Sequence, residues 1–146
     1  MKIKSLGHVV LRVTDAERAE RFYGDLLGLP ICARFAEHGM KMTFFSLGNH
    51  HDFAVMEVSG EGSSQSESAV GLHHVAFKIG DDLDELREAR ATLEAAGVTP
   101  TPIDHEVTKS LYFADPDGNG VELYVDGSDV WRREPQRVAQ IAPLEL

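Results

Sequence analysis

The sequence has little of several features that mark common functional classes. Its 146 residues include one cysteine, Cys32, which has no partner for an internal disulfide and cannot build a thiolate metal cluster. Positive charge is also scarce, because 14 Lys and Arg face 24 Asp and Glu and give a formal net charge of −10. Binding to phosphate groups needs a basic surface, so this charge argues against nucleic acid and anionic membranes as partners.

Long apolar runs are absent too. No stretch reaches the roughly 18 apolar residues of a membrane-spanning helix. The first residues resemble a secretory signal only superficially, since Arg12 and Asp15 interrupt the apolar part and no small-residue cleavage site follows. We therefore expect a cytoplasmic protein. The length, with 42% hydrophobic residues, suits one domain with a hydrophobic core.

The chain contains an internal repeat. The segments LGHVVLRV at 6–13 and LHHVAFKI at 72–79 both alternate with period two, which is typical of half-buried strands. Each leads to an acidic turn that can cap a helix and then to a helical apolar stripe, over 16–27 and 83–96. Both stripes end in Gly followed by Pro, which favours helix termination. The repeat predicts two modules that each begin with a strand and a helix.

The second halves of the modules correspond as well. Phe44-Phe45-Ser46 and Tyr112-Phe113-Ala114 each precede a turn with a Gly-Asn dipeptide and then an apolar strand. Residues 40–45 and 101–107 are further strand candidates. We therefore predict an α+β fold of two βαβββ modules in tandem. The predicted single domain, 1–146, comprises module one over 4–58, a Gly/Ser-rich linker over 59–69, module two over 70–126 and a tail over 127–146 that packs on the surface or on a partner subunit.

The repeat superposes residue types that bind metals. His8 aligns with His74, and Asp52 aligns with Glu122 through the Gly-Asn dipeptides. Glu122 lies between apolar neighbours, and a buried carboxylate needs a counter-charge, either a metal or an Arg. Two His and one carboxylate match the facial triad of non-haem Fe(II) enzymes, so His8, His74 and Glu122 are the predicted metal ligands. Zn(II), Mn(II), Ni(II) and Co(II) can occupy the same set.

His73, which is adjacent to His74, is the alternative candidate for the second metal ligand. Strict alternation places His73 and His74 on opposite faces of their strand. The repeat favours His74, because it aligns with His8. His73 is then expected to be a polar residue on the far face.

These residues resemble the vicinal oxygen chelate superfamily, which includes glyoxalase I, fosfomycin resistance enzymes, bleomycin-binding proteins, methylmalonyl-CoA epimerase and extradiol dioxygenases. The paired modules, the strand HVVLRV, the repeat GLHHVAFKI and the segment YFADPDGNGVELYV carry the resemblance over about 4–126. It implies an eight-stranded, open barrel-like mixed sheet around one metal site, often within a dimer. A homodimer that binds a small-molecule substrate is the corresponding expectation.

Within the superfamily, residues 71–77 and 104–122 resemble the extradiol, catechol-2,3-dioxygenase-like branch. That branch places a Tyr ten positions before the carboxylate ligand, the spacing of Tyr112 and Glu122. The resemblance implies that Tyr112 helps to bind and deprotonate a catechol. It also implies that His105 stabilises the activated oxygen. His105 lies somewhat closer to the Tyr than in the two-domain dioxygenases, so a polar loop residue is the alternative for it.

One departure concerns the proton donor. The larger dioxygenases have a further His upstream of the second ligand that acts as an acid and base, but residues 55–72 contain no His. His50 and His51 of module one are the substitutes that the sequence offers.

The expected function is Fe(II)-dependent extradiol cleavage of a catechol-like aromatic diol, an oxidoreductase reaction of aromatic catabolism. One alternative is a glyoxalase-like lyase, isomerase or epimerase, which would use a fourth protein ligand at Asp52 and favour Ni(II) or Zn(II). The other is a non-catalytic protein that binds or sequesters an aromatic ligand, and retention of the ligand set counts against it. Candidates for lining a pocket, with core packing as their alternative, are Phe35, Met40, Met42, Phe44 and Phe77.

Overall fold

The computed structural model describes residues 2–59 and 70–146. Most of the predicted linker therefore lies outside the described residues. The chain divides into two compact units: unit one contains 1–69 and 115–119, and unit two contains 70–114 and 120–146. No helix in the described ranges is long and apolar enough to cross a membrane.

Unit one follows the order strand, helix and three strands. Asp15 caps the helix by accepting a hydrogen bond from the Arg18 N–H at 2.9 Å, as the acidic turn predicts. The sheet order is β1-β4-β3-β2, with β1 parallel to β4 and the other pairs antiparallel. Its elements are β1 Val9–Val13, α1 Ala16–Glu20 continuing as a π-helix over Arg21–Leu26, β2 Ile31–Glu37, β3 Met40–Phe45 and β4 Phe53–Glu57.

Unit two repeats this order. Asp82 and Glu85 form a capping box at the start of its helix. The sheet order is β5-β8-β7-β6-β9, again with one parallel pair, β5 and β8. Its elements are β5 Val75–Gly80, α2 Leu83–Ala95, β6 Thr101–Asp104, β7 Thr108–Ala114, β8 Gly120–Asp126 and β9 Ala142–Pro143, with 3-10 helices at Val130–Arg132 and Pro135–Ala139.

Both units confirm the predicted α+β fold of tandem βαβββ modules, and within the described residues neither sheet closes into a barrel. Each core lies where the helix packs on its own sheet. In unit two the predicted helical stripe buries Leu86 and Leu93 almost completely. In unit one the π-helix buries Phe22 and Tyr23, so the predicted single α-helix over 16–27 is wrong beyond Glu20.

The first strand of each unit starts later than the alternation predicts. β1 begins at Val9 because its partner strand begins at Phe53, which leaves the residues before Val9 without a ladder. His8 and His74 therefore precede their strands and do not lie in them. Such residues are freed from strict alternation, and this affects where their side chains point.

The strand registers correct the alignment of the two modules. Val10 pairs with Ala54 in unit one, and Ala76 pairs with Glu122 in unit two. Because Val10 and Ala76 hold the same place in the repeated strands, the counterpart of Glu122 is Ala54. The predicted alignment of Asp52 with Glu122 between the two modules is therefore wrong by two residues.

The error has a local cause. Phe45 pairs with Phe53 in unit one, and the equivalent pair in unit two is Phe113 with Val121, so the same number of residues separates the partners in both units. The two intervening turns carry the Gly-Asn dipeptide at different positions, and an alignment on that dipeptide slips by two. Asp52 belongs to the turn, where its Oδ2 accepts hydrogen bonds from backbone N–H groups at 2.6 and 3.4 Å.

Candidate metal centre and substrate site

Glu122 is a buried carboxylate in the middle of β8. It is 7% exposed. The Ser110 hydroxyl donates a hydrogen bond to its Oε1 at 2.6 Å, and the Nε2 atom of His74 lies 3.0 Å from its Oε2. The Arg partner that the sequence leaves open is not found among the ion pairs of the described residues. The Ser110 hydroxyl therefore orients the carboxylate through Oε1, and Oε2 faces the imidazole of His74.

His74 uses its two ring nitrogens differently. Its Nε2 faces Glu122, while its Nδ1 lies 2.7 Å from the Nδ1 of His73. An imidazole nitrogen without a hydrogen and a carboxylate oxygen are both acceptors, so at 3.0 Å either a hydrogen on Nε2 or a cation lies between them. Imidazole nitrogen and carboxylate oxygen are a donor set that divalent transition metals bind, and His73 is placed to orient the ring. These residues fit a metal ion.

The position of His73 corrects the expectation of a far-face residue. Its ring contacts the ring of His74, with centroids 5.0 Å apart. Both residues precede β5, so strand alternation does not separate their side chains.

His105 and Tyr112 form a hydrogen-bonded pair. The His105 Nε2 lies 3.0 Å from the Tyr112 hydroxyl, and its Nδ1 lies 2.8 Å from the backbone oxygen of Gln140. A carbonyl oxygen can only accept, so Nδ1 carries a hydrogen, and in the neutral ring Nε2 is then the acceptor for the phenol O–H. Tyr112 stands directly opposite Glu122 in the β7–β8 ladder.

One cavity of about 300 Å³ in unit two brings these groups together. Glu122, Tyr112 and His105 all line it, and among the described residues the remaining lining contains no Lys or Arg. Burial, and then the negative charge of Glu122, raise the pKa of Tyr112 above its ordinary value. The phenol therefore stays protonated at neutral pH in the metal-free protein and serves as a hydrogen-bond donor.

None of the five predicted pocket residues lines this cavity. Phe35 and Met42 line a different cavity, of about 250 Å³ in unit one, and Phe77 is buried in the core of unit two. Large apolar residues satisfy both cores and pockets, and composition alone does not separate the two. The unit-two cavity is instead lined by smaller apolar residues such as Ala76, Val107 and Val138.

His8 lies in unit one, within a cluster of imidazoles. Ligand atoms of His8, His50 and His51 all lie within 4.8 Å of one another, close enough to hold a metal ion. The His8 and His51 rings have centroids 4.1 Å apart. Partial burial, and then the nearby charges of His8 and His50, lower the pKa of His51. The adjacent His-His pair in the turn is the sequence signal that could have located this cluster.

Two further contributors escaped sequence reasoning. Ser110 shares a strand face with Tyr112 at a spacing of two, which is a usable signal for a residue near Glu122. Gln140 contributes only its backbone oxygen, and a carbonyl leaves no trace in the sequence.

Comparison with known proteins agrees with this geometry. The family described as the Glyoxalase/Bleomycin resistance protein/Dioxygenase superfamily matches residues 5–123. The chain belongs to this superfamily. The resemblance to the vicinal oxygen chelate proteins is thereby confirmed, and the comparisons support an enzyme.

Several superfamily members are similar over most of this chain. Biphenyl-2,3-diol 1,2-dioxygenase 2 of Rhodococcus globerulus is 34% identical over 120 residues, which cover 82% of this chain and 61% of that protein. Glutathione transferase FosA of Serratia marcescens is 33% identical over 125 residues, covering 84% of this chain and 82% of that protein. The chain thus spans less than two thirds of the dioxygenase that it matches.

A solved structure shares the fold. The glyoxylase/bleomycin resistance protein/dioxygenase domain from Frankia sp. EAN1pec superposes with a TM-score of 0.72 at 22% identity, covering 86% of this chain and 99% of that chain. This likeness supports the tandem βαβββ architecture.

Proposed function

We propose that the protein is an extradiol dioxygenase that cleaves the ring of a catechol-like aromatic diol. The observation that carries the proposal is the hydrogen-bonded pair of His105 and Tyr112 in the cavity that Glu122 also lines. The phenol of Tyr112 and the imidazole of His105 lie in the same cavity as the proposed metal ligand Glu122. Such a pair can bind a diol hydroxyl and accept its proton. The similarity to a biphenyl-2,3-diol dioxygenase supports the same reaction class.

The proposed metal ligands are His8, His74 and Glu122. The close approach of His74 and Glu122 supports two of them. His8 rests on the internal repeat, as the counterpart of His74. When bound, Fe(II) would supply the electron transfer between the diol and O2. Fe(II) as the native metal and the homodimer both remain predictions.

The side chains of unit two divide the remaining work. In the free protein Tyr112 donates its O–H to His105, so a diol hydroxyl that binds at Tyr112 enters an existing hydrogen-bond line. The proton can pass towards the Nε2 of His105, which carries no hydrogen in the neutral ring that donates from Nδ1 to Gln140. His50 or His51 of unit one stays the predicted further acid and base in place of the His missing from 55–72.

Two observations weigh against the alternatives. A four-ligand lyase or isomerase needs a carboxylate where Glu122 has its module-one counterpart, and that residue is Ala54. A transferase acting on a phosphonate such as fosfomycin needs cationic groups for the anion, and no Lys or Arg of the described ranges lines the unit-two cavity. The apolar side chains of the walls suit a planar aromatic ring.

The test is direct. Protein loaded anaerobically with Fe(II) and then exposed to air should convert catechol or biphenyl-2,3-diol to a yellow ring-opened product, consuming one O2 per diol. Absence of both colour and oxygen uptake in protein with bound Fe(II) would contradict the proposal. A parallel incubation of fosfomycin with glutathione should give no conjugate, and conjugate formation would assign the transferase function instead.

Tyr112→Phe tests the proposed proton path. Loss of the hydroxyl should lower kcat/KM for catechol by about 100-fold, within the range for a removed acid or base. Fe(II) content and the melting temperature should match the wild type, because the hydroxyl is neither a proposed ligand nor a core group. Unchanged kcat/KM would mean that the diol is deprotonated elsewhere, and His51→Gln would then be the variant to examine.

A further inference from the structure

The C-terminal segment is built into the sheet of unit two. β9 pairs antiparallel with the edge strand β6, matching Ala142 with Asp104 and Pro143 with Ile103. The 3-10 helix Pro135–Ala139 precedes this strand. The predicted surface tail therefore includes an added edge strand next to the β6–β7 loop that carries His105.

An ion pair fastens the same segment to that loop. The Arg137 guanidinium pairs with the Glu106 carboxylate, and Glu106 immediately follows His105 in the chain. Glu106 has a φ of 65°, in the left-handed region that side chains rarely adopt. The loop is thus joined to the C-terminal segment by the ion pair of Glu106 with Arg137 and lies next to the β6–β9 pairing.

The segment also selects the tautomer of His105. The Gln140 oxygen can only accept a hydrogen bond, so it favours the ring with hydrogen on Nδ1. That tautomer leaves Nε2 as an acceptor for Tyr112 at 3.0 Å. Without Gln140, the opposite tautomer would place two donors, Nε2–H and the phenol O–H, against each other unless the phenol turned away.

One side chain of the segment faces the cavity. Val138 lines it together with residues from β5, β7, β8 and the β6–β7 loop. Val138 is 56% exposed, which leaves apolar surface at the cavity that an apolar ligand can cover. The other lining residues are on the sheet or its loop, so Val138 is the contribution of the C-terminal segment.

We propose that two residues of the C-terminal segment 130–143 complete the substrate site, with Gln140 holding His105 as the acceptor for Tyr112 and Val138 limiting the size of the ring substituent that the cavity accepts. The proposal rests on the proposed function for its substrate class. Gln140 acts through His105 and is therefore a positioning residue, whereas Val138 determines specificity.

The positioning role is tested without turnover. In metal-free, ¹⁵N-labelled protein, His105 should show a protonated Nδ1 and an unprotonated Nε2. The double variant Arg137→Ala/Ala142→Pro removes the ion pair and introduces a residue without an N–H into β9, so it should yield a mixture of tautomers. Arg133→Ala, in the same segment but without an ion pair in the described structure, should keep the wild-type pattern. An unchanged single tautomer in the double variant would overturn the positioning role.

Val138→Phe tests the specificity role. The larger side chain should lower kcat/KM for biphenyl-2,3-diol by about tenfold while catechol changes by less than about twofold. Ile141→Phe is the matched control, because Ile141 is 75% exposed and does not line the cavity. Equal effects on both diols, or equal behaviour of the two variants, would overturn the specificity role. If wild-type protein with Fe(II) cleaves neither diol, the proposed function and the specificity role both fail, and the tautomer measurement still decides the positioning role.

Discussion

Replacement of Glu122 by Gln is expected to abolish metal binding and ring cleavage together. The amide keeps the size of the side chain but loses the negative charge that faces His74 at 3.0 Å. Affinity for Fe(II) should fall by at least about 100-fold, since altering residues that merely support ligands already costs 10–100-fold. Cleavage activity should fall by about 1,000-fold or more, because the metal supplies several kcal/mol to the reaction.

Metal content after dialysis and the melting temperature with and without added metal measure this effect. A ligand that binds only the folded protein raises its stability, so wild-type protein should melt at a higher temperature with metal and the variant should not. Glu88→Gln is the matched control, because Glu88 is exposed on α2. A Glu122→Gln protein that retains one metal ion per chain would contradict the ligand assignment. His50→Ala would then test the imidazole cluster of unit one.

Among the variants proposed for this protein, Asp115→Ala is expected to lower the free energy of unfolding most. Asp115 is 5% exposed and accepts hydrogen bonds from the Tyr23 hydroxyl and the Asn119 amide, each at 2.8 Å, and from the backbone N–H groups of Asp117 and Asn119, each at 2.8 Å. Removing the carboxylate takes this acceptor from all four donors. The free energy of unfolding should fall by about 3 kcal/mol, measured by denaturant titration.

Two comparisons separate this effect from a general loss of charge. Asp129→Ala, at an exposed position, should change the free energy of unfolding by less than about 0.5 kcal/mol. Tyr23→Phe removes one of the donors to Asp115 and should cost about 1 kcal/mol. If Asp115→Ala were no more destabilising than Asp129→Ala, the hydrogen bonds around Asp115 would not stabilise the fold as inferred.

Asp115 also shows a limit of reading the modules in sequence order. The DPDGN segment belongs to module two by sequence, yet residues 115–119 cluster with unit one. Thr14 and Arg18 both donate hydrogen bonds to Oδ1 of Asp117, which fixes this turn against the start of α1. A repeat alignment assigns each residue to the module around it, and only tertiary contacts show a turn that leaves its own unit.

Several elements were predictable because their signals are local. The capping box at Asp82 and the apolar spacing of Leu86 and Leu93 define α2 to within one residue of its predicted end. β3 matches its predicted span, Met40–Phe45. Helix caps, apolar periodicity and turns act over a few residues, so they can be read from the chain directly.

The predictions that were wrong depend on contacts between residues far apart in the chain. The register that pairs Ala54 and not Asp52 with the Glu122 position depends on hydrogen bonds between distant strands. The start of β5 determines whether His73 and His74 alternate, and that start is set by its partner strand β8. A slip of one or two residues in register changes which side chain occupies a site, while the composition of the strand stays the same.

The sequence by itself determined two βαβββ modules and the residue types that can bind a metal, His8, His74 and Glu122, because repeats and periodicity are properties of the chain. Only the tertiary structure decided that the module-one counterpart of Glu122 is Ala54, which cannot bind a metal through its side chain. It also decided that His105 and Tyr112 meet in one cavity, and that His105 contacts a backbone oxygen of the C-terminal segment. These contacts join residues far apart in the chain, and the free energy that selects them comes from packing and hydrogen bonding across the folded molecule.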